Sequence, residues 1–261
     1  MSRASGARLS ARPWVVKTGG RLCEEQAQRS RLARACAKVD SPLVLVHGGG
    51  AQVSRWQRAY GLESRFIEGR RVTTRDDLAI VEMVLSGAVN QALVRALAAA
   101  GRPAVGLSGC DGGLVTCELV PDLGRVGAPA AVNIDALSAL LAAGFTPVVS
   151  PVSLGPDREA VNVNADEVAC AVATALGAER LLLLSDVDGV RAGNGTRADV
   201  ASEEVETLVT SGYITGGMIP KLRAAAAAVA GGVGEVRIGG FDGRPLGAIE
   251  GTRVRAGGGR A

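Results

Sequence analysis

Short apolar runs alternate along this chain with longer segments in which apolar residues recur at helical spacing. The runs are rich in Val and Leu, as buried strands are, and occur at residues 14–17, 43–46, 104–107, 145–149 and 181–184. The segments with helical spacing lie at residues 24–38, 51–60, 78–97, 133–143 and 166–176. Such alternation predicts an α/β protein with a mainly parallel sheet and helices on both of its faces.

Local signals place the ends of several predicted elements. Thr74 is a candidate N-cap for the longest helix, and Asp77, three residues later, completes a capping box. Residues 66–72 predict a hairpin or loop, and Ser202 is expected to cap a short helix that ends at Val209. Because proline is tolerated only in the first turn of a helix, Pro220 places Lys221 near the start of an alanine-rich helix.

Glycine runs follow the first two predicted strands. Lys17 and Thr18 precede Gly19 and Gly20, and His47 precedes the run from Gly48 to Gly50. Glycine lets backbone N–H groups approach a ligand closely, so a tight turn of this kind suits phosphate or carboxylate oxygens. A single run is equally typical of a plain tight turn, but two runs, one with a lysine, favour an anion site.

Charged residues near these turns are the candidates for chemistry. Lys17 and Lys221 each lie beside glycines at the end of an element, and phosphoryl transfer requires such cations to neutralise the transferring group. Asp166 follows two asparagines at a helix start, where it either caps the helix or holds the lysine ammonium groups. Arg71 is either a solvated surface residue or a fork for a substrate carboxylate. The sequence favours a structural role for His47 over a general base.

Composition narrows the class of protein. The chain has 261 residues, of which 47% are hydrophobic and only 3% aromatic, so it is a globular protein without aromatic platforms for nucleic-acid bases. A net charge of +3 suits small anionic ligands and does not require DNA or RNA as a partner. The basic start lacks the apolar segment of a secretory signal, and no run of 18 apolar residues predicts a membrane span. The spacing of the five cysteines and the single histidine predicts no zinc site, and reduced thiols suit a cytoplasmic protein.

Seven motifs in order resemble those of the amino acid kinase family. They are Lys17-Thr18-Gly19-Gly20, His47-Gly48-Gly49-Gly50, Gly69-Arg70-Arg71-Val72-Thr73, Gly106-Leu107-Ser108-Gly109-Cys110-Asp111-Gly112, Asn162-Val163-Asn164-Ala165-Asp166, Ser185-Asp186-Val187-Asp188-Gly189-Val190 and Ile214-Thr215-Gly216-Gly217-Met218-Ile219-Pro220-Lys221. The resemblance covers residues 14–254. It implies a three-layer αβα sandwich and, from the Arg-Val-Thr and Asn-Val-Asn-Ala-Asp motifs, transfer of phosphate from ATP to the γ-carboxylate of N-acetyl-L-glutamate, a step of arginine biosynthesis.

The resemblance also implies a role for particular residues. Lys17 and Lys221 would stabilise the transferring phosphoryl group, and Asp166 would orient both lysines. The substrate would be held by Gly49, Gly50, Arg71 and Asn162. The nucleotide would be held by Gly19, Gly20, Asp186, Val187, Asp188, Gly189, Val190, Arg191, Tyr213, Ile214 and Thr215. Magnesium would lie mainly on the ATP phosphates, with no dedicated protein ligands.

The division of the chain follows from the same resemblance. Residues 13–176 would form an N-terminal lobe for the acyl amino acid and for dimerisation, and residues 177–256 a C-terminal lobe for ATP. Residues 1–12 and 257–261 would be flexible tails. Arginine-inhibited members carry an extra N-terminal helix, which the sixteen residues before Lys17 do not suggest, so we expect a homodimer without arginine feedback. Departures such as Cys110 and Ala51 leave N-succinylglutamate, or carrier-bound glutamate or α-aminoadipate, as alternative substrates. Because a fold does not fix a function, a catalytically reduced ligand sensor is an alternative function.

Overall fold

The computed structural model of the protein describes residues 11–67, 69–192 and 195–257. The helices are α1 (Arg21–Glu24), α2 (Gln26–Ala37), α3 (Gly50–Ala59), α4 (Arg75–Glu82), α5 (Asn90–Ala99), α6 (Asp135–Ala142), α7 (Ala165–Ala175), α8 (Val205–Thr210) and α9 (Met218–Ala230). The strands are β1 (Trp14–Thr18), β2 (Leu43–His47), β3 (Phe66–Ile67), β4 (Arg70–Arg71), β5 (Ala104–Ser108), β6 (Val115–Leu119), β7 (Val126–Val132), β8 (Thr146–Ser150), β9 (Val152–Leu154), β10 (Ala160–Val163), β11 (Arg180–Ser185), β12 (Arg191–Ala192), β13 (Gly195–Thr196), β14 (Asp199–Ala201), β15 (Glu235–Gly240) and β16 (Thr252–Arg255). Most of the predicted helices and strands are therefore present, with ends within a few residues of those expected.

A large central sheet runs through the molecule in the strand order β14-β16-β15-β11-β1-β2-β8-β5. Its strands pair in parallel, except that β16 runs antiparallel to β15. Strands β2 and β11 are apolar at nearly every position because both of their faces are covered, as is usual in parallel sheets. The predicted parallel-dominated α/β fold is confirmed.

Two hydrophobic cores lie on opposite faces of this sheet. Val15 points into one core, where it packs with Val168 and Val172 of α7. The next residue, Val16, points into the other core with Leu32 of α2 and Leu93 of α5. Successive side chains of a strand point to opposite faces, so one apolar strand supplies both cores and the result is a three-layer αβα sandwich.

The small strands were the least predictable part of the fold. Strands β10, β7, β6 and β9 close into a separate small ring, and β7 and β9 have no counterpart among the predicted strands. Strands β3 and β4 form the expected hairpin at residues 66–71. Ser202 does not cap the short helix; it opens a single 3₁₀ turn at Ser202–Glu204, and Glu204 bonds the Ala201 N–H instead.

The longest helical segment, Arg75–Ala99, contains an unexpected π-helical stretch, Met83–Val89, between α4 and α5. Its N-terminal capping box is confirmed, since the Asp77 N–H donates to Thr74 Oγ1 and the Thr74 N–H donates to Asp77 Oδ2. By length and composition this helix could cross a membrane, but core helices of globular proteins pass the same test, and 44% of the relevant window is buried here.

Strand order reverses around β1, and this reversal positions the site. From β1 the sheet continues to β2 on one side and to β11 on the other, although the two neighbours come from opposite halves of the chain. Ligands of open α/β sheets bind outside the carboxyl ends of the strands at such a point. Lys17, the triple glycine and the segment that begins at Ser185 all lie at those carboxyl ends.

Candidate active site

Two lysine ammonium groups share one buried carboxylate at the centre of the molecule. Lys17 Nζ lies 2.9 Å from Asp166 Oδ1, and Lys221 Nζ lies 2.8 Å from Asp166 Oδ2. The three side chains are only 9–12% exposed. The structure thus brings together three residues predicted to act jointly, which come from β1, α7 and α9.

The surroundings shift the pKa values of the two lysines in opposite directions. Burial alone would raise the pKa of Asp166, but the two adjacent ammonium groups hold that pKa well below its usual range. Burial opposes the charge on Lys17, yet Asp166 outweighs it and the pKa of Lys17 is raised. Burial and repulsion from Lys17 lower the pKa of Lys221. Asp166 is therefore a fixed anion that positions cations rather than a group that accepts a proton near pH 7.

Helix starts deliver two members of the trio. Asn164 is the N-cap of α7, where its side chain accepts a hydrogen bond from the Asp166 N–H at 2.8 Å. The carboxylate of Asp166 is consequently free of the capping role and can face the lysines. Pro220 occupies the first turn of α9, as predicted, and Lys221 follows it.

The glycine run after β2 lines a cavity of about 200 Å³ together with Lys17 and Asp166. Gly49 precedes α3 with φ 152°, and a Cβ there would lie 2.8 Å from Leu85 Cδ2, so only glycine fits. Helix α3 begins at Gly50 and its first N–H groups have no partner within the helix. Backbone donors and a lysine thus face the same small space, as an anion requires.

Arg71 also lines this cavity, but its guanidinium is largely engaged by the protein. Nη2 donates to the Gly50 carbonyl at 2.7 Å and to Ser54 Oγ at 2.9 Å. Nη1 donates to Ser64 Oγ at 2.6 Å and to Gln57 Oε1. The side chain is buried rather than solvated, and it fixes the end of the glycine loop. Binding of a substrate carboxylate by Arg71 stays a prediction.

Two further polar residues border the cavity from β10 and from the hairpin. Asn162 Nδ2 donates to Thr73 Oγ1 at 3.1 Å. Arg70, whose partner was not predicted, binds Glu167 Oε1 at 2.7 Å through Nη2. This pair ties the β3–β4 hairpin to the start of α7. Glu167 is thereby occupied by an ion pair, although its spacing from Asn164 suggests a capping box.

Two of the residues predicted for the nucleotide line a second cavity. Asp186 and Asp188 are exposed and line a larger cavity of about 780 Å³ with Gly240 and Glu250. Gly20 adjoins Asp186, since a Cβ at Gly20 would lie 2.8 Å from Asp186 Oδ2. Lys17 and Asp166 do not line the larger cavity, and we assign the chemistry to the smaller one because both of them border it and Lys221 is paired with Asp166.

The other predicted nucleotide residues differ in what they can offer. Val190 and Ile214 are core residues, so only their backbone atoms could meet a ligand. The Val190 N–H already donates to Thr252 Oγ1 at 2.8 Å. Those with exposed side chains are Val187, Arg191, Tyr213 and Thr215. Among the glycines, Gly19 adjoins Lys17, and Gly189 has φ 140° and packs closely against Thr252.

Metal ligands are sparse near the site. Within residues 11–67, 69–192 and 195–257, no group of three or more His, Cys, Asp or Glu side chains could hold a metal ion.

Sequence reasoning missed the residues that hold the functional groups in place. Gln57, Ser54 and Ser64 surround Arg71, and Asn90 contacts His47. These side chains belong to no short motif. The only local signal was Asp77, whose capping box also brings its Oδ1 to Gln57.

The fold and the site define a class of protein: a three-layer αβα protein in which two lysines share one buried carboxylate beside a small glycine-lined cavity. The chain belongs to the amino acid kinase family, whose family model matches residues 12–240.

Relatives of known activity agree with this family. The chain is 48% identical over 213 residues to an acetylglutamate kinase of Rubrobacter xylanophilus, which covers 81% of this chain and 84% of the relative. It is 41% identical to an acetylglutamate kinase of Geobacillus stearothermophilus, with 86% and 88% covered. A crystal structure of N-acetylglutamate synthase from Neisseria gonorrhoeae shares the fold, with a TM-score of 0.82 at 24% identity over 95% of this chain and 60% of that one. The chain is accordingly a kinase.

Proposed function

We propose that this kinase transfers the γ-phosphoryl group of ATP to the γ-carboxylate of N-acetyl-L-glutamate, giving N-acetyl-L-glutamyl 5-phosphate and ADP in arginine biosynthesis. The observation that carries the proposal is the pair of lysines on Asp166 beside the glycine-lined cavity. The names of the relatives at 48% and 41% identity supply the acceptor.

The bond changes need no proton transfer. A carboxylate oxygen of the acceptor attacks the γ-phosphorus, an O–P bond forms, and the bond from that phosphorus to the β,γ-bridging oxygen breaks, so its electron pair leaves with ADP. A glutamate γ-carboxylate has a pKa of about 4.3 and is already ionised at neutral pH. The reaction accordingly requires no general base. Burial lowers the pKa of His47 to about 4, and we give this residue no role as a base.

Stabilisation of charge is then the main task of the protein. Lys17 and Lys221 would hold the equatorial oxygens of the transferring group from two sides, while Asp166 keeps both ammonium groups in place. Gly49 and Gly50 would add backbone N–H groups. Asn162 and Arg71 would hold the acceptor in the 200 Å³ cavity.

The nucleotide belongs to the C-terminal lobe in this proposal. Residues 177–256 would bind ATP through Asp186–Arg191 and Tyr213–Thr215, with Gly19 and Gly20 at the phosphates, while residues 13–176 bind the acyl amino acid. Magnesium would be held by the ATP phosphates and would neutralise their charge.

We further propose that the enzyme works as a homodimer in the cytoplasm, without a nucleic-acid or membrane partner. Exposed apolar residues on the N-terminal lobe, including Tyr60, Phe66 and Met83, are consistent with association there. Size-exclusion chromatography with light scattering would give the mass of the particle in solution. A monomer at micromolar concentration would contradict the proposed dimer.

The decisive experiment is an acyl-phosphate assay with a panel of acceptors. Wild-type protein with MgATP and hydroxylamine should form the hydroxamate of N-acetyl-L-glutamate and release ADP in equal amount. N-succinylglutamate, free glutamate and α-aminoadipate should react much more slowly. Turnover confined to one of those acceptors, or to glutamate on a carrier protein, would contradict the proposed substrate.

A lysine variant separates catalysis from binding. Lys221→Ala should lower kcat by roughly 100- to 1000-fold, because it removes a charge that matters most in the transition state. The KM for N-acetylglutamate should change little. A large KM effect with normal kcat would mean that Lys221 only binds substrate.

Nucleotide binding without any turnover in the wild type would instead indicate a ligand sensor.

A further inference from the structure

Asn90 is a buried side chain behind the glycine loop that the proposed mechanism does not use. It is the first residue of α5, directly after the π-helical stretch, and is 1% exposed. Its Nδ2 lies 2.8 Å from the Val148 carbonyl and 3.2 Å from the Leu107 carbonyl. It also lies 3.2 Å from His47 Nε2.

These contacts settle the orientation of the Asn90 amide. Backbone carbonyls only accept hydrogen bonds, so the atom that faces Val148 and Leu107 must be the NH₂ group. The same NH₂ group faces His47 Nε2, and a protonated Nε2 would set two donors against each other, so Nε2 is the unprotonated nitrogen of the ring. The proton of the neutral ring then lies on Nδ1, 2.8 Å from the Gly48 carbonyl, to which it donates.

His47 in turn fixes the first glycine of the loop. The Gly48 carbonyl is held by His47 Nδ1, and the Gly48 N–H donates to the Thr18 carbonyl at 2.8 Å. Both sides of this residue are thus tied, which sets the direction in which Gly49 and Gly50 enter the cavity. Leu85 and Val89 of the π-helical stretch press on Gly49 from the other side.

Gly106 provides independent support for the importance of this amide. It is a glycine in the middle of β5, where glycine ordinarily weakens a strand. A Cβ at this position would overlap Asn90 Oδ1 and lie 2.9 Å from Gln91 Nε2. The absence of a side chain at Gly106 leaves the space that the Asn90 amide occupies.

We propose that Asn90 is a positioning residue for phosphoryl transfer: its NH₂ group contacts Nε2 of His47 and holds the Nδ1-protonated ring in place, and His47 thereby orients the Gly48–Gly50 backbone toward the acyl amino acid. With the proton on Nε2 instead, the lone pair of Nδ1 would face the Gly48 carbonyl oxygen, and the two would repel. The reading of the glycine loop as a substrate site rests on the proposed function.

Nitrogen NMR tests the link without any turnover. The chain contains one histidine, so protein labelled with nitrogen-15 histidine gives a single imidazole spectrum. The wild type should show a protonated Nδ1 and an unprotonated Nε2 at pH 7, and in Asn90→Ala the Nε2 resonance should move because that nitrogen loses its hydrogen-bond donor. A wild-type ring protonated on Nε2, or an identical spectrum in Asn90→Ala, would overturn the proposal.

Kinetics test the consequence. Asn90→Ala and Gly106→Ala should each lower kcat/KM for N-acetylglutamate about 10- to 100-fold, because a loop displaced by a fraction of an ångström loses its alignment. The KM for ATP should stay within about two-fold of the wild type. Gly87→Ala is the matched control, since a Cβ there meets no atom within 4 Å, and it should behave like the wild type. Equal loss of ATP binding in both test variants would contradict a role specific to the loop.

A pair of histidine variants distinguishes orientation from mere packing. In His47→Asn the amide nitrogen sits on Cγ, like Nδ1, and can still donate to the Gly48 carbonyl. In His47→Gln the amide lies farther out, at the place of Nε2, and that donor is lost. His47→Asn should retain most of kcat/KM, and His47→Gln should lose most of it. Equal losses would show that the ring only fills space.

The two proposals fail in different ways. If the wild type phosphorylates no acylated glutamate, the proposed function is wrong, while the histidine spectrum still decides whether Asn90 bonds His47 Nε2. If the wild type is active but Asn90→Ala keeps its kcat/KM with a melting temperature near that of the wild type, the positioning role is wrong and the proposed function stands.

Discussion

Asp166 shows how one side chain can make a cluster of like charges tolerable. Lys17 and Lys221 would repel each other in a buried site, and each of them is compensated by a different oxygen of the same carboxylate. A buried carboxylate and two ammonium groups are costly to separate, because the partner left behind has lost its hydration. The trio thus couples the stability of the protein to the chemistry of the site.

Replacement of Asp166 by Asn should reveal this coupling. The variant should be inactive and about 3 kcal/mol less stable than the wild type at pH 7, since both lysines lose their counter-charge. The lowered pKa of Asp166 means that its ionised form contributes stability above its unfolded-state value of 3.8, and that this contribution is lost as the pH falls through its folded value. Urea unfolding at a series of pH values should therefore show the gap between the two proteins shrinking below about pH 4. A gap that stays constant down to pH 2 would contradict the assignment.

At the scale of elements, the capping box of α4 serves two purposes. Thr74 and Asp77 satisfy the first N–H groups of the helix, as the sequence predicts. Asp77 Oδ1 also accepts from Gln57 Nε2, and Gln57 accepts from Arg71. The beginning of the helix is in this way connected to the wall of the cavity. The sequence indicated the cap but not this connection, which joins residues 20 positions apart.

Two substitutions should separate the cap from the connection. Thr74→Ala should cost about 1 kcal/mol of unfolding free energy, as the loss of an N-cap does, with normal kinetics. Asp77→Ala should cost about 2 kcal/mol, because Gln57 also loses a buried partner. Only Asp77→Ala should raise the KM for N-acetylglutamate. Identical kinetics in the two variants would show that Gln57 does not depend on Asp77 to orient Arg71.

On the scale of the whole molecule, the central sheet brings residues from both halves of the chain to one edge. The strands that reach it from one side carry the triple glycine, and those from the other side carry Asp186 and Asp188. The two cavities lie at this edge of the sheet, and we expect the acyl amino acid in the smaller one. ATP would approach from the C-terminal half of the chain.

Thermal shifts of a glycine variant test this division. Ligands that bind only the folded state raise the melting temperature, and each should do so independently if the sites are separate. Gly50→Val places methyl groups toward Arg71, whose Nη2 would lie 3.7 Å from the new Cβ. The variant should lose the shift produced by N-acetylglutamate and keep the shift produced by a non-hydrolysable ATP analogue. Loss of the nucleotide shift alone would mean that the loop belongs to the nucleotide.

The sequence by itself determined the alternation of strands and helices, the capping box, the glycine turns and the identity of the charged trio. These are local: each depends on apolar periodicity, on a cap three residues away, or on the short motifs of one family. Only the tertiary structure decided which atoms meet. The pairing of Lys221 with Asp166 joins residues 55 positions apart, and the hydrogen bond of Asn90 to Val148 joins residues 58 apart. No periodic pattern in the sequence signals contacts between residues so far apart in the chain. These contacts depend on the strand order, which is set by packing on both faces of the sheet. For the same reason the sequence left Arg71 as either a solvated residue or a fork for a substrate carboxylate, and only the folded chain shows its guanidinium surrounded by the oxygens of Gly50, Ser54, Gln57 and Ser64.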